Sequence, residues 1–170
     1  MLLPSLFSLH AEGLVAPELK IIGTARSPLD DAGFRQVAAD SLDKFLAPDA
    51  RKPDSIASFL DRLSYVPLDA SQPENFTALT GPVGADRDMP IAIYLSTAPS
   101  LFGSTIEGLR RAGLDGPNVR IGLEKPLGHD LASSAVINDA VAAAYPEQRT
   151  FRIDHYLGKE TVQNLSLIHI

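Results

Sequence analysis

The sequence predicts an α/β protein built on a doubly wound parallel sheet with helices on both faces. Short apolar runs rich in β-branched residues alternate along the chain with longer segments of helical periodicity, an order typical of parallel sheets. Two runs, residues 91–95 and 119–123, are apolar almost without interruption, which indicates strands covered on both faces. The 170 residues suffice for one domain or the larger part of one.

The chain opens with a helical pattern at residues 2–12 instead of a strand. This segment does not resemble a secretion signal, because no basic residue precedes its apolar run, Pro4 and His10 interrupt that run, and Glu12 follows it. No run of 18 apolar residues occurs anywhere, so we expect no membrane-spanning helix and a cytoplasmic protein.

Strands and helices then alternate to the end of the chain. The predicted strands are LKIIGTA (19–25), LSYVPL (63–68), PIAIYLS (90–96), VRIGLE (119–124) and TFRI (150–153). The remaining predicted helices are residues 31–46, 55–62, 74–79, 101–112 and 131–144, with loops at 28–31 and 47–54. Asp130 stands where a helix cap is expected, and Gly113 stands where a glycine ends a helix.

Composition excludes several classes of function. The absence of cysteine rules out disulfides, thiolate chemistry and cysteine-bound zinc. A net charge of −6 leaves no basic surplus to neutralise phosphates, which argues against nucleic acid as a partner. His10, His129 and His169 have no partner at metal-ligand spacing, so we predict no metal site.

Glycine-rich phosphate loops are absent. Neither G-x-G-x-x-G nor G-x-x-x-x-G-K-[ST] occurs, and Gly81 and Gly84 are predicted to lie in a loop on either side of Pro82. Ligands of an open parallel sheet bind beyond the carboxyl ends of its strands. The residues that follow each strand are therefore the ones expected to form a site.

The segment GTARS follows the first predicted strand. Arg26 and Ser27 supply hydrogen-bond donors that suit the 2′-phosphate of a dinucleotide. A dinucleotide with a free ribose 2′-hydroxyl would instead favour an acidic residue at this place. A solvated arginine before a Ser-Pro turn explains the same residues, and without other information it is the more common case.

The segment EKP follows the fourth predicted strand. Lys125 places an ammonium at the carboxyl end of a central strand, where substrate and cofactor would meet, and Pro126 directs the chain onward. An ordinary surface turn is an equally good interpretation of these residues.

The segment RIDHYLGKE follows the last predicted strand. His155 and Lys159, four residues apart, share one face of a helix start whose free backbone N–H groups favour an anion, and Tyr156 adds a hydroxyl donor. Asp154 either caps this helix or orients a histidine. The density of donors beside an apolar strand favours an anion site over two solvated cations.

Taken together, four segments resemble the glucose-6-phosphate dehydrogenase family. They occur in the family's order: KIIGTARS, YLSTAPSLFG, EKPLGHDLASS and RIDHYLGKE, the last being the family signature. The resemblance runs from Met1 to about Leu165 and implies a Rossmann-type coenzyme domain. It also implies NADP-linked oxidation of glucose 6-phosphate to the 1,5-lactone, the first step of the pentose phosphate pathway, by a homodimer or homotetramer.

The resemblance assigns substrate roles at the carboxyl ends of the last two strands. His155, Tyr156 and Lys159 would hold the sugar phosphate. Lys125 would contact substrate near the nicotinamide, and Asp154 would orient a catalytic histidine that lies beyond this chain in the family.

Cofactor roles are also implied. Arg26 and Ser27 would read the 2′-phosphate of NADP. The other residues expected to line the cofactor cleft are Tyr94, Leu95, Ser96, Pro99, Lys125 and Pro126.

The resemblance also implies three regions and some departures. Residues 1–154 would form a partial NADP-binding domain that lacks the family's first strand and its loop resembling GASGDLAKRK. Residues 155–165 would begin the substrate domain, and SLIHI (166–170) departs from the family and is expected to be non-native, so His169 inherits no catalytic role. We expect such a chain to be an internal fragment, prone to aggregate and inactive by itself.

Two alternatives remain open at this point. Another sugar-linked NADP-dependent Rossmann dehydrogenase would account for EKP but not for the donors of DHYLGK. A non-catalytic module that binds sugar phosphate or nucleotide would account for the absence of a catalytic base and a glycine-rich loop.

Overall fold

The computed structural model describes residues 2–84, 88–125, 127–128 and 130–154. The chain divides into two compact units, Met1–Asp69 and Ala70–Ile170, and each is described by itself. Four predicted site residues lie outside the described residues: Pro126, His155, Tyr156 and Lys159. His129 and the tail 166–170 also lie outside them.

The first unit contains three helices and two strands in its described part. In chain order they are α1 (Leu2–Ala11), β1 (Ile21–Ala25), α2 (Asp31–Phe45), α3 (Pro53–Leu60) and β2 (Leu63–Pro67). The two strands are parallel, with Ile21 opposite Leu63 and Ala25 opposite Pro67. Their carboxyl ends therefore lie side by side, and Arg26 and Ser27 follow directly from β1.

Local chemistry explains where the helices of this unit begin. Asp30 has extended backbone and its Oδ1 accepts the Gly33 N–H at 2.8 Å, which satisfies one of the unpaired donors at the start of α2. Helix α3 begins at Pro53, two residues before the predicted start, because proline has the φ of a first helical residue and needs no N–H partner there.

Aromatic and aliphatic side chains from all three helices form the core of the first unit. Phe7 and Phe59 are buried, and their rings meet edge to face with centroids 5.6 Å apart. Leu42 from α2 and Leu63 from β2 join the same cluster. Each such side chain contributes about 1.5–3 kcal/mol when it leaves water, so this cluster is what holds the helices on the strands.

The second unit contains three helices and three strands in its described part. They are α4 (Thr80–Gly84), β3 (Ile91–Leu95), α5 (Phe102–Arg111), β4 (Val119–Glu124), α6 (Leu131–Ala142) and β5 (Thr150–Ile153). The strands form a parallel sheet in the order β3, β4, β5. Tyr94 lies opposite Gly122, and Glu124 lies opposite Ile153.

The predicted cap of α6 is confirmed and proves to be reciprocal. The Oδ1 of Asp130 accepts the Ser133 N–H at 2.8 Å, and the Asp130 N–H donates to Ser133 Oγ at 3.1 Å. This capping box satisfies two donors at once and marks the helix start sharply.

The predicted helix at residues 74–79 is present, and its geometry is 3₁₀ over Pro73–Leu79. One detail of the prediction for this unit is wrong. Gly81 and Gly84 lie within α4 and not in a loop, because the 3₁₀ run continues into one α-helical turn.

The prediction that β3 and β4 are covered on both faces is also wrong. Val119, Ile121 and Leu123 are buried, whereas Arg120, on the opposite face, is exposed and Gly122 and Glu124 are half-buried. Strand β3 likewise exposes Ala92. One face of this sheet therefore carries the core of the unit, and the other carries Tyr94, Gly122 and Glu124 toward its carboxyl end.

The predicted fold class, an incomplete parallel α/β sheet with helices, is confirmed, with its strands in two small sheets. No helix within the described residues is long and apolar enough to cross a membrane.

Candidate functional site

A cluster of polar side chains lies where β3, β4 and β5 end. Lys125 follows β4, Asp154 follows β5, and the Lys125 Nζ donates to Asp154 Oδ2 at 2.6 Å. The Lys125 side chain is 56% exposed and that of Asp154 is 17% exposed. The ammonium is therefore open to a ligand, while the carboxylate beneath it holds the lysine in place.

A second pair lies one strand away. The Tyr94 hydroxyl, from β3, donates to Glu124 Oε1, from the end of β4. The Tyr94 ring lies close to Gly122 of β4: a Cβ added at this residue would be in ordinary van der Waals contact, 3.5 Å from Tyr94 Cδ2 and 3.4 Å from Ile153 Cδ1. Burial, followed by the hydrogen bond and charge of the Glu124 carboxylate, raises the pKa of Tyr94 to about 12.

The dipeptide Glu124-Lys125 thus connects three strand ends. Glu124 contacts Tyr94 of β3, and its neighbour Lys125 contacts Asp154, the residue after β5. The sequence identified Tyr94, Lys125 and Asp154 but not Glu124. Its position inside the EKP motif was the signal that could have identified it.

The remaining residues of the predicted cofactor segment follow β3. Leu95 is buried in the core, Ser96 is exposed, and Pro99 begins a 3₁₀ turn that leads into α5. Between them the hydroxyl of Thr97 is buried and has no hydrogen-bond partner in the described part of the chain. Leu95 is thus placed to support the strand, and Ser96 is the accessible hydroxyl of this segment.

Arg26 and Ser27 lie in the first unit, at the carboxyl end of β1, and both are exposed. Within the described residues the Arg26 guanidinium forms no hydrogen bond or ion pair. The backbone beside it is held firmly, since the Tyr65 hydroxyl lies 3.0 Å from the carbonyl oxygen of Ala25 and 2.9 Å from that of Ser27. Tyr65 was not identified from the sequence, because its partners lie 40 and 38 residues away.

Some predictions about the site are not tested. Pro126, His155, Tyr156 and Lys159 lie outside the described residues, so the phosphate site they were predicted to form stays a prediction. The role of Asp154 in orienting a histidine also stays a prediction, beside its observed contact with Lys125.

A parallel α/β fold with polar side chains converging at the carboxyl ends of its strands is characteristic of nucleotide-binding domains. The particular family follows from comparison with known proteins. Residues 1–164 match the family model described as "Glucose-6-phosphate dehydrogenase, NAD binding domain", and the chain belongs to this family.

Individual relatives agree with this assignment. The chain is 54% identical over 168 residues to the glucose-6-phosphate 1-dehydrogenase of Zymomonas mobilis, covering 97% of this chain and 34% of the relative. It is 42% identical over 168 residues to that of Mycolicibacterium smegmatis, covering 96% of this chain and 34% of the relative. The chain therefore spans about a third of the length of these curated relatives.

A solved structure has the same fold. It is a glucose-6-phosphate dehydrogenase in complex with its substrate glucose 6-phosphate, with a TM-score of 0.82 and 33% identity. The similarity covers 98% of this chain and 35% of that protein.

Proposed function

We propose that the full-length protein oxidises the C1 hydroxyl of D-glucose 6-phosphate to 6-phospho-D-glucono-1,5-lactone, with NADP as the electron acceptor. This reaction is the first step of the pentose phosphate pathway, and we place it in the cytoplasm. The observation that carries the proposal is the Lys125–Asp154 pair at the carboxyl ends of β4 and β5, in a chain that belongs to the glucose-6-phosphate dehydrogenase family.

The preference for NADP over NAD rests on the residues after β1. Arg26 offers a planar fork of donors that is free of protein partners in the described part of the chain, and Ser27 offers a hydroxyl beside it. An NAD site would instead place a carboxylate here for the ribose hydroxyls. The Tyr65 hydroxyl holds the intervening backbone, so both donors start from a fixed position.

When NADP is bound, it supplies the carbon that accepts a hydride from C1 of the sugar. The C1 hydroxyl loses its proton at the same time, and a base must take it. Asp154 would orient and stabilise the histidine that serves as this base, as carboxylates do in other carboxylate–histidine pairs. Lys125, partly exposed above Asp154, would donate to the sugar and keep its reacting end beside that carboxylate.

The sugar phosphate would be bound by the segment that follows Asp154. His155 and Lys159 are spaced four residues apart, and a helix start there would add backbone donors to their side chains and to the Tyr156 hydroxyl. Phosphate would thus anchor one end of the substrate while Lys125 holds the other.

Activity is tested by following NADPH formation by purified full-length protein supplied with glucose 6-phosphate. Lys125→Ala is expected to lower kcat/KM at least about a hundredfold, equivalent to the loss of about 2.7 kcal/mol of transition-state stabilisation. Lys44→Ala, which removes an exposed lysine on α2, is the control and should leave the rate unchanged. Full activity in Lys125→Ala would contradict the proposal.

The phosphate site is tested separately with Lys159→Ala. This variant is expected to raise KM for glucose 6-phosphate while hardly changing the much weaker activity on unphosphorylated glucose. Equal losses on both sugars would show that Lys159 does not read the phosphate. A protein that binds sugar phosphate and NADP without oxidising the sugar would instead be a non-catalytic binding module.

Cofactor choice is tested with Arg26→Ala. Loss of a charge-assisted contact to the 2′-phosphate should weaken NADP binding about tenfold or more and leave NAD binding nearly unchanged. Arg111→Ala, in which the lost arginine pairs with Glu107 on α5, is the matched control. We also propose that the full-length protein is a homodimer or homotetramer, which sedimentation equilibrium would distinguish.

A further inference from the structure

On one face of the sheet in the second unit, Tyr94 contacts Glu124, and the proposed function assigns no role to this contact. Tyr94 lies on β3 opposite Gly122, and its phenol ring lies over β4, where Tyr94 Cδ2 would be 3.5 Å from a Cβ added at that glycine, an ordinary van der Waals distance. The ring therefore reaches across the neighbouring strand, and its hydroxyl meets Glu124 two residues further along.

Glu124 is well placed to fix that ring. Its backbone is paired in the sheet opposite Ile153, and its side chain is half-buried, so few conformations are open to it. Its neighbour Lys125 is held from the other side by Asp154. The carboxylate is thus a fixed acceptor, whereas a tyrosine at the end of an outer strand of this sheet would otherwise have more than one staggered χ1 rotamer open to it.

We propose that Glu124 is a positioning residue for the cofactor: its carboxylate holds the Tyr94 ring across Gly122, where the ring forms one wall of the dinucleotide site. The proposal rests on the proposed function, since it assumes that a dinucleotide binds at the carboxyl end of β3. Glu124 acts through Tyr94 and need not touch the cofactor.

The energetic reason is preorganisation. A ring that already occupies its bound orientation loses no rotamer freedom when the ligand binds. The binding free energy is then not reduced by the cost of ordering this side chain. Loss of the hydrogen bond between Tyr94 and Glu124 should therefore weaken NADP binding about three- to tenfold.

The test is a double-mutant cycle on NADP binding by the full-length protein, measured by calorimetry. Glu124→Ala and Tyr94→Phe each remove one partner, and each should raise the dissociation constant about three- to tenfold. The double variant should be no weaker than either single variant, because the two residues act as one unit. Glu124→Gln keeps an acceptor oxygen at the same place and should restore binding to within about twofold of the parent.

Glu107→Ala is the matched control. It removes a carboxylate from the same unit, on α5, that pairs with Arg111 at 2.9 Å away from the strand ends. NADP binding should be unchanged in this variant. If Glu124→Ala does not fold, Glu124→Asp, which keeps the charge but shortens its reach, takes its place in the cycle.

A second readout needs no cofactor. Nuclear magnetic resonance of ¹³C-labelled tyrosine follows the ionisation of Tyr94, whose pKa is raised to about 12. Glu124→Ala should lower the pH at which this phenol ionises, and Glu107→Ala should not. An unchanged titration in Glu124→Ala would show that the contact does not exist in solution.

The results distinguish failure of the proposed function from failure of the positioning role of Glu124. If the parent protein binds no NADP, the proposed function and the positioning role are both wrong. If the parent binds NADP but the effects of Glu124→Ala and Tyr94→Phe add, Glu124 acts independently of the ring and only the positioning role is wrong.

Discussion

Tyr94 illustrates how one residue connects the site with the pH dependence of stability. Its folded-state pKa of about 12 exceeds the ordinary 10.0, chiefly because the phenol is partly buried and then because Glu124 faces it. Between these two values the unfolded chain releases the phenolic proton while the folded chain keeps it. The folded state then binds more protons, so stability present below pH 10 is lost as the pH rises toward 12.

We therefore expect the free energy of unfolding to fall more steeply between pH 10 and about 12 in the parent than in Tyr94→Phe. Urea titrations of both proteins across this range provide the measurement. Other titrating groups affect both proteins alike, so identical slopes would contradict the assignment.

Tyr145 has a structural role in the core of the second unit. Its side chain is fully buried and its hydroxyl donates to the Leu114 carbonyl at 2.6 Å, and burial raises the pKa of this phenol strongly. Tyr145→Phe keeps the ring but leaves that carbonyl without its donor. We expect a loss of about 1–3 kcal/mol in the free energy of unfolding, measured by urea titration at neutral pH. A loss below about 0.5 kcal/mol would show that water replaces the hydroxyl.

At the level of elements, α5 is held in its unit by a close approach of backbone and ring. A Cβ added at Gly108 would lie 2.2 Å from Phe76 Cδ2, so the ring of the 3₁₀ run packs directly on the helix backbone. The same helix contains Gly103, where an added Cβ would meet nothing within 4 Å. One helix thus offers both a constrained and an unconstrained glycine.

Gly108→Ala is expected to destabilise the protein by about 1–3 kcal/mol, because the ring must move from a packed position. Gly103→Ala should leave stability unchanged or raise it by up to about 1 kcal/mol, since alanine is the better helix former. Thermal and urea unfolding of the two variants test this contrast. Equal changes in stability would mean that helix propensity, and not the Phe76 contact, determines the effect of both substitutions.

At the level of the whole molecule, the edges of the two sheets affect solubility. Among the described strands, β1 pairs only with β2 and β3 pairs only with β4. Each of β1 and β3 therefore has one edge with no partner strand in the described part of the chain. The sequence of β3, IAIYL, contains no charge and no proline, which makes its edge a template for pairing with another chain.

We expect the 170-residue chain to self-associate as its concentration rises, and Ala92→Lys to reduce this association because lysine blocks edge pairing. Ala142→Lys makes the same change at an exposed position on α6 and should have little effect. Light scattering of the three proteins provides the measurement. An equal reduction by both lysines would point to net charge instead of the β3 edge.

The sequence was a good guide to what is local. Hydrophobic periodicity located every strand to within two residues, and Asp130 was identified as a cap, because these features depend on neighbours a few residues apart. It was a poorer guide to the 3₁₀ geometry of Pro73–Leu79 and to the coverage of β3 and β4, which depend on what the rest of the chain places against them.

By itself the sequence determined the α/β class, the order of its elements, the family, and Tyr94, Lys125 and Asp154 as residues to inspect. Only the tertiary structure decided how these residues pair. Tyr94 and Glu124 are 30 residues apart and Lys125 and Asp154 are 29, so no local pattern encodes either contact. Parallel pairing of β3, β4 and β5 sets the register of three distant strands, and that register brings the pairs together at one edge of the sheet.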